Sequence, residues 1–276
     1  MDTLAAKRAP MHLDISARLA LSIPEPTDFL LQIEAAPLPE QRLVNAHIAL
    51  SPSEHFARVP GDDAIGERIW LRASGEFAMH YRSRIEILRA LPEIGALPAL
   101  PPHRLPGETV PYLMDSRYCP ADSFQSFVAG EFGGLEGGAK ILAMRDWIAG
   151  HFTYTPGVSH SATTAAESFI ERRGVCRDYA HVLIVLARAA AIPARYVSGY
   201  APRVEPQDFH AVAEVFLGDS KGPGGSWHLV DATGMAGAGE IAKIGIGRDA
   251  ADVSFLTSFG TIELAAQEVT VAVATP

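Results

Sequence analysis

The sequence predicts an α+β protein built in two parts, and three observations predict it. Segments between residues 11 and 91 alternate apolar and polar side chains, prolines crowd residues 92–123, and beyond 124 helical spacing leads to a long apolar helix followed by strands. The chain therefore divides into a small β-sandwich domain over 1–91, a linker over 92–123 and an α+β core over 124–276. With 276 residues, 48% of them hydrophobic and 20% charged, it can bury one large core or two moderate ones.

The elements follow in order. "HLDISARLALSI" and "RLVNAHIALS" alternate with period two, and "GERIWLRASGEFAMHYRSRIEIL" supplies two further runs with Gly75 between them. Such alternation over several short segments implies antiparallel strands with one wet face. Pro92, Pro98, Pro101, Pro102, Pro106, Pro111 and Pro120 then exclude long regular elements, which predicts a semi-rigid linker over the surface with at most a short helix at "VPYLMDS". "GGAKILAMRDWIAGHFTY" and "TAAESFIERRG" carry helical spacing, the second stopped at Gly174. A helix from about Cys176 to Ala191 comes next, ended before Pro193, and "ARYVSGY", "HAVAEVFLG" and "SWHLVDAT" read as strands.

A net charge of −9 with scattered basic pairs disfavours a nucleic-acid partner, because phosphate binding needs clustered Lys and Arg. No basic leader precedes a long apolar core, and no apolar run approaches the roughly 18 residues of a membrane span, so the expected location is cytoplasmic and off the membrane. The two cysteines, Cys119 and Cys176, are then expected to stay reduced. They are too few for a cysteine-rich zinc site, and no Asp/Asn ladder suggests calcium, so neither metal nor cofactor is expected. Nothing in the sequence fixes an oligomeric state.

Cys176 carries the chemistry. A thiol at a helix N-terminus lies beside free N–H groups and a partial positive charge that favour the thiolate, and the apolar helix behind it is a rigid mount. Most free cysteines are only small buried hydrophobes, and Cys119, next to Pro120, reads as one. The residues downstream separate the two. His210 opens one strand and Asp231 ends the next, and the Gly-rich "LGDSKGPGGSW" between them suits a hairpin that makes His210 and Asp231 neighbours. An imidazole that takes the thiol proton, oriented by a carboxylate, is the triad arrangement. His181 and His228 are rival imidazoles, each read first as structural or surface. Asp178, in the first turn of the Cys176 helix, reads as a capping carboxylate or a substrate contact.

"GVCRDYAHVLIVLARAAAIPARYVSGY", "FHAVAEVFLG", "SWHLVDATG" and "IGRDAADVSF" together resemble the bacterial members of the transglutaminase-like superfamily of papain-fold cysteine enzymes, over about residues 137–260. The resemblance implies a Cys-headed helix packed on an antiparallel sheet, with Cys176 as nucleophile, His210 as general base and Asp231 as orienting carboxylate. Tyr154, in "HFTYTPG", matches an aromatic commonly found ahead of the Cys helix and is carried, with Asp178, as an oxyanion or substrate contact. Where the family often has Trp between two alanines after the histidine, this chain has Val212, which predicts a reshaped pocket wall. The implied reaction passes through a thioacyl enzyme on a peptide or protein substrate. Hydrolysis ranks first, transfer to an amine second and a non-catalytic binding module third.

Overall fold

The computed structural model describes residues 10–220 and 222–275. The first nine residues, on which part of the leaderless reading and of the 1–91 domain falls, lie outside the described residues. Alternation builds the first sheet as expected. In β1 (Met11–Leu31), Leu13, Ile15, Ala17, Leu19 and Leu21 are buried while Asp14 and Arg18 face out. β2 (Gln41–Leu50) and β3 (His55–Pro60) pair in turn with the two halves of β4 (Glu67–Ile87), which lies antiparallel to β1.

The two runs expected on either side of Gly75 are a single strand. Gly75, at φ +78°, carries β4 through a conformation that strains other residues, opposite Ile23. There Pro24 and Pro26 lack the N–H groups a ladder needs, and the register shifts between Ile23 and Thr27. The sheet folds over at this irregularity: Phe29 and Phe77, from opposite sides of it, meet edge to face at 5.4 Å. The sandwich is thus one continuous sheet folded over around a shared core.

The middle of the chain differs from the expected surface linker. Leu97, Tyr112, Tyr118 and Cys119 are buried, and the strap is tied down by main-chain bonds from Gly138 N–H to Leu97 O and from Gly218 N–H to Pro98 O, both 2.8 Å. Proline density excludes long helices but leaves carbonyls free to accept, so short 3-10 turns pack where a loop was expected.

The core begins with α1 (Gln125–Phe132) and α2 (Gly137–His151), then the two-residue β5 (Thr153–Tyr154), α3 (Ala165–Glu171) and β6 (Arg173–Gly174), which pairs in parallel with β5. α4 (Cys176–Ala189) packs Ala180, Leu183, Ile184 and Ala187 into the main core. Truncating a buried Leu or Ile of this kind costs about 2–5 kcal/mol. Behind α4 stands an antiparallel sheet of β7 (Ala194–Tyr200), β8 (His210–Gly218), β9 (Gly225–Val230) and β10 (Ala242–Gly247), in the order β10-β7-β8-β9. Ala211, Ala213, Val215 and Leu217 of β8 join the α4 core, while Val212 packs on the opposite face with Tyr112, Val197 and Leu229.

β11 (Leu256–Ser258) and β12 (Glu263–Ala274) correct the expected domain boundary. Both pair with β1, from Leu13 opposite Val273 to Leu31 opposite Leu256, so the end of the chain completes the first sheet instead of the core. The two sheets are also joined by buried charge. Glu214 receives Arg195 at 2.8 Å and pairs with Lys243, which reaches Glu40 at 2.8 Å. Burial pushes the Glu214 carboxyl up, but Lys243 and Arg195 outweigh it and hold its pKa at about 2. Among the described residues no helix is long and apolar enough to cross a membrane.

Candidate active site

The start of α4 is set by its neighbours. The β5–β6 bridge lays Tyr154 beside Gly174, with Thr155 N–H bonded to Gly174 O at 2.8 Å, two residues before Cys176. Asp178 accepts the Val175 N–H at 2.8 Å and so caps the helix. Gly174 makes room for it, since a Cβ there would lie 2.5 Å from the Asp178 carboxylate. Asp178 is wholly buried, paired with Arg177 at 3.2 Å, and does not line the groove described below. Of the two roles weighed for it, capping holds and substrate contact does not: the turn that brings its carboxylate back to the N–H groups also points it inward.

Cys176 is a half-buried free thiol at the head of α4. The β8–β9 hairpin forms as expected, and it brings His210 Nε2 to 2.9 Å from Asp231 Oδ2. With Nε2 so engaged, Nδ1 is the nitrogen left for the Cys176 thiol, whose hydrogen bond and charge act on the ring, and it is buried with no other partner among the described residues. The Asp231 carboxylate is held from every side. Oδ1 accepts Thr233 N–H at 2.8 Å and Thr233 Oγ1 at 2.7 Å, and Oδ2 also accepts Ala236 N–H at 2.9 Å. Thr233 was missed at the sequence level, although Asp-Ala-Thr just past a strand is the spacing at which a carboxylate ties down its own turn.

The electrostatics follow from these contacts. Burial works against a charged His210 ring, but hydrogen bonds to Asp231 and Cys176 and the charges of both outweigh it and raise its pKa to about 9. Burial likewise opposes the Asp231 charge, and the bonds from His210 and Thr233 reverse it, holding the carboxyl below its usual range. Tyr154 is pushed up by burial and by Cys176, whose thiol and main-chain N–H both contact its hydroxyl. His181, the first rival base, is wholly buried, accepts Ala250 N–H at 3.1 Å on Nε2, and is driven by burial down to about 3. His228 lies on β9 against Ser226 at 3.2 Å and does not line the groove.

A groove of about 690 Å³ opens beside Cys176 and His210, walled by Tyr196, Phe209 and Phe255. Val212 is not on its wall. Period-two alternation sends that side chain to the far face of the sheet, so the substitution expected to reshape the pocket instead adjusts core packing. Among the described residues no group of three His, Cys, Asp or Glu side chains is arranged to hold a metal ion.

A half-buried thiol at a helix head, next to a buried and charged imidazole–carboxylate pair, defines a cysteine-dependent enzyme. Residues 127–232 match the family model of the transglutaminase-like superfamily. The structure of a candidate cysteine protease from Cytophaga hutchinsonii superposes with a TM-score of 0.88 at 31% identity, covering 97% of this chain and 92% of that one. The periplasmic domain of TgpA from Pseudomonas aeruginosa aligns with a TM-score of 0.41 at 16% identity, over 82% of this chain and 91% of that one. An uncharacterized protein of Mycobacterium leprae is 29% identical over 119 residues, which span 41% of this chain and 42% of that protein's length. The chain belongs to the transglutaminase-like superfamily.

Proposed function

We propose that this protein hydrolyses a peptide or isopeptide amide through a thioacyl intermediate, with Cys176 as nucleophile, His210 as acid and base, and Asp231 as the group that orients His210. The observation that carries this reading is the buried His210, engaged at 2.9 Å by Asp231 on one nitrogen and open to Cys176 on the other. With Asp231 held by Thr233 and Ala236, the ring cannot rotate without breaking a fixed carboxylate's bond, so its other nitrogen stays directed at the sulfur.

In the forward step the Cys176 sulfur attacks the acyl carbon, and His210 delivers its proton to the departing amine. His210 then takes a proton from water, the hydroxide adds to the thioester carbon, and the thiol leaves with the proton returned. The Cys176 N–H at the helix head, which contacts the Tyr154 hydroxyl in the free protein, becomes an oxyanion donor when the acyl oxygen displaces that contact, and the released Tyr154 hydroxyl is the second. Two free thiols fit a reducing compartment, and cytoplasmic location is part of this proposal. Incubation with a mixed peptide panel, with and without a primary amine, followed by mass spectrometry tests the reading. Cleaved peptides carrying water's oxygen support it, amine adducts in their place turn it into acyl transfer, and an inert protein overturns it in favour of a binding module.

A further inference from the structure

The groove beside Cys176 is not made by the catalytic core alone. Gln32, the residue just after β1, comes from the first sheet, lines the groove and is 2% exposed, and its buried Nε2 has no hydrogen-bond partner among the described residues. Its main chain is anchored by a 3.0 Å bond from its N–H to Phe255 O. Gly245 gives its amide room: a Cβ there would lie 2.3 Å from Nε2. Ser198 of β7 lines the same groove, and its Oγ is also buried and unpartnered. Two orphaned groups able to donate, both on residues that line the cavity holding the nucleophile, leave a buried cost that a ligand with acceptor oxygens removes.

The charged groups around the groove favour an anion. Apart from His210, the charged side chains lining it are Arg117, Arg177 and Asp208. Arg177 is engaged by Asp178 and by the His160 carbonyl at 2.7 Å, and Asp208 by the Gln267 amide and the Phe209 N–H. Arg117 rests over the Tyr118 ring at 5.3 Å and has no carboxylate partner among the described residues. We propose that this groove selects acyl substrates bearing a carboxylate close to the reacting carbonyl, read by Gln32 and Ser198 within and by Arg117 at the rim. The first sheet is then part of the specificity site. This inference rests on the proposed role of Cys176, and its test reads the groove whether or not the protein turns over.

The probes are iodoacetate and iodoacetamide, which differ in one negative charge and both alkylate Cys176. Their rate ratio is measured by mass spectrometry in the intact protein and in Arg117→Gln, Gln32→Leu and Ser198→Ala. His210 is common to all four and cancels. The iodoacetate-to-iodoacetamide ratio is expected to fall about fivefold in Arg117→Gln at low salt, less at high salt, and about tenfold in Gln32→Leu, the iodoacetamide rate falling less than the iodoacetate rate in each. Arg117 is exposed, so its variant folds whatever happens at Gln32. A ratio unchanged in both Arg117→Gln and Gln32→Leu overturns the inference, as does an equal slowing of both reagents. Peptide pairs differing only as Glu or Gln beside the scissile bond supply the second reading. Altered ratios with no turnover on any peptide keep the anion site and sink the hydrolase; turnover indifferent to Glu or Gln does the reverse.

Discussion

The interior around His181 and the groove wall at His210 bury the same side chain to opposite ends. Both rings are almost entirely removed from water, and burial alone pushes each toward neutrality. His181 has an N–H donor at Nε2 and, among the described residues, no carboxylate in contact, so it stays neutral down to about pH 3. His210 has Asp231 at 2.9 Å and Cys176 on its other side, and it keeps its proton up to about 9. Burial sets the stakes, and the partner decides the sign. An imidazole becomes useful for proton transfer only where the fold also buries a countercharge.

The largest break in that comparison comes from removing the reacting groups. Cys176→Ala and His210→Ala are each expected to lose essentially all turnover, on the order of 10⁶-fold as in related hydrolase triads, and the double variant is expected to be no worse than either. Removing His181 is expected to leave turnover on the same substrate near the parent's. Steady-state kinetics on a cleaved peptide checks this, and a His210→Ala variant with half the parent's rate would transfer the base assignment elsewhere.

Asp231→Asn comes second. It preserves shape and withdraws the charge, with an expected loss on the order of 10⁴-fold by analogy with serine triads. It also moves the His210 titration down, because the countercharge that outweighs burial is gone. In the parent, kcat/KM is expected to fall as pH rises through about 9, where His210 loses the proton it must give to the leaving amine. In Asp231→Asn that alkaline limb is expected at lower pH. A pH–rate profile with identical limbs in both proteins would show that Asp231 does not act through His210.

Labelling separates the two cysteines by a smaller margin. Cys176 lines the groove, whereas Cys119 is wholly buried and its thiol is pushed up by that burial. Iodoacetamide is expected to modify Cys176 at least about tenfold faster, following exposure and thiolate access. Equal rates in the folded protein would remove the distinction.

The legible parts of the molecule are those whose signals are local. The α4 helix follows from the spacing of Ala180, Leu183, Ile184 and Ala187, and the hairpin that joins His210 to Asp231 follows from two strands around a Gly-rich turn. What escaped depends on distant segments. β12 alternates at Val269, Val271 and Val273, yet nothing near it says that its partner is β1, some 250 residues away. The groove draws on Gln32, Arg117, Ser198 and Phe255, four segments that no single window contains. Asp178 and Val212 were legible as residue types but not as directions, because one inward turn and one strand face settle what each touches.

The subtlest test compares the two histidines through stability. His210 has a folded pKa raised from 6.5 to about 9, so its contribution is fully present below 6.5 and is lost as pH rises from there through 9. His181 has a folded pKa lowered to about 3, so it costs nothing above 6.5, but below that the unfolded chain takes up a proton the folded ring refuses. Each slope is about 1.4 kcal/mol per pH unit, and together they place a stability maximum near neutrality. Urea midpoints at pH 5, 6.5 and 8.5 read both slopes. At pH 6.5 and above, His181→Leu is expected to lower stability by about 1 kcal/mol, through the Ala250 N–H left unpaired. It should also flatten the decline between pH 6.5 and 5, a window above the titration of most carboxylates. His210→Leu is expected to flatten the alkaline side instead. The offset reports a lost contact and the slope reports the proton. A His181→Leu protein that declines between pH 6.5 and 5 as steeply as the parent would mean that the acid sensitivity arises elsewhere.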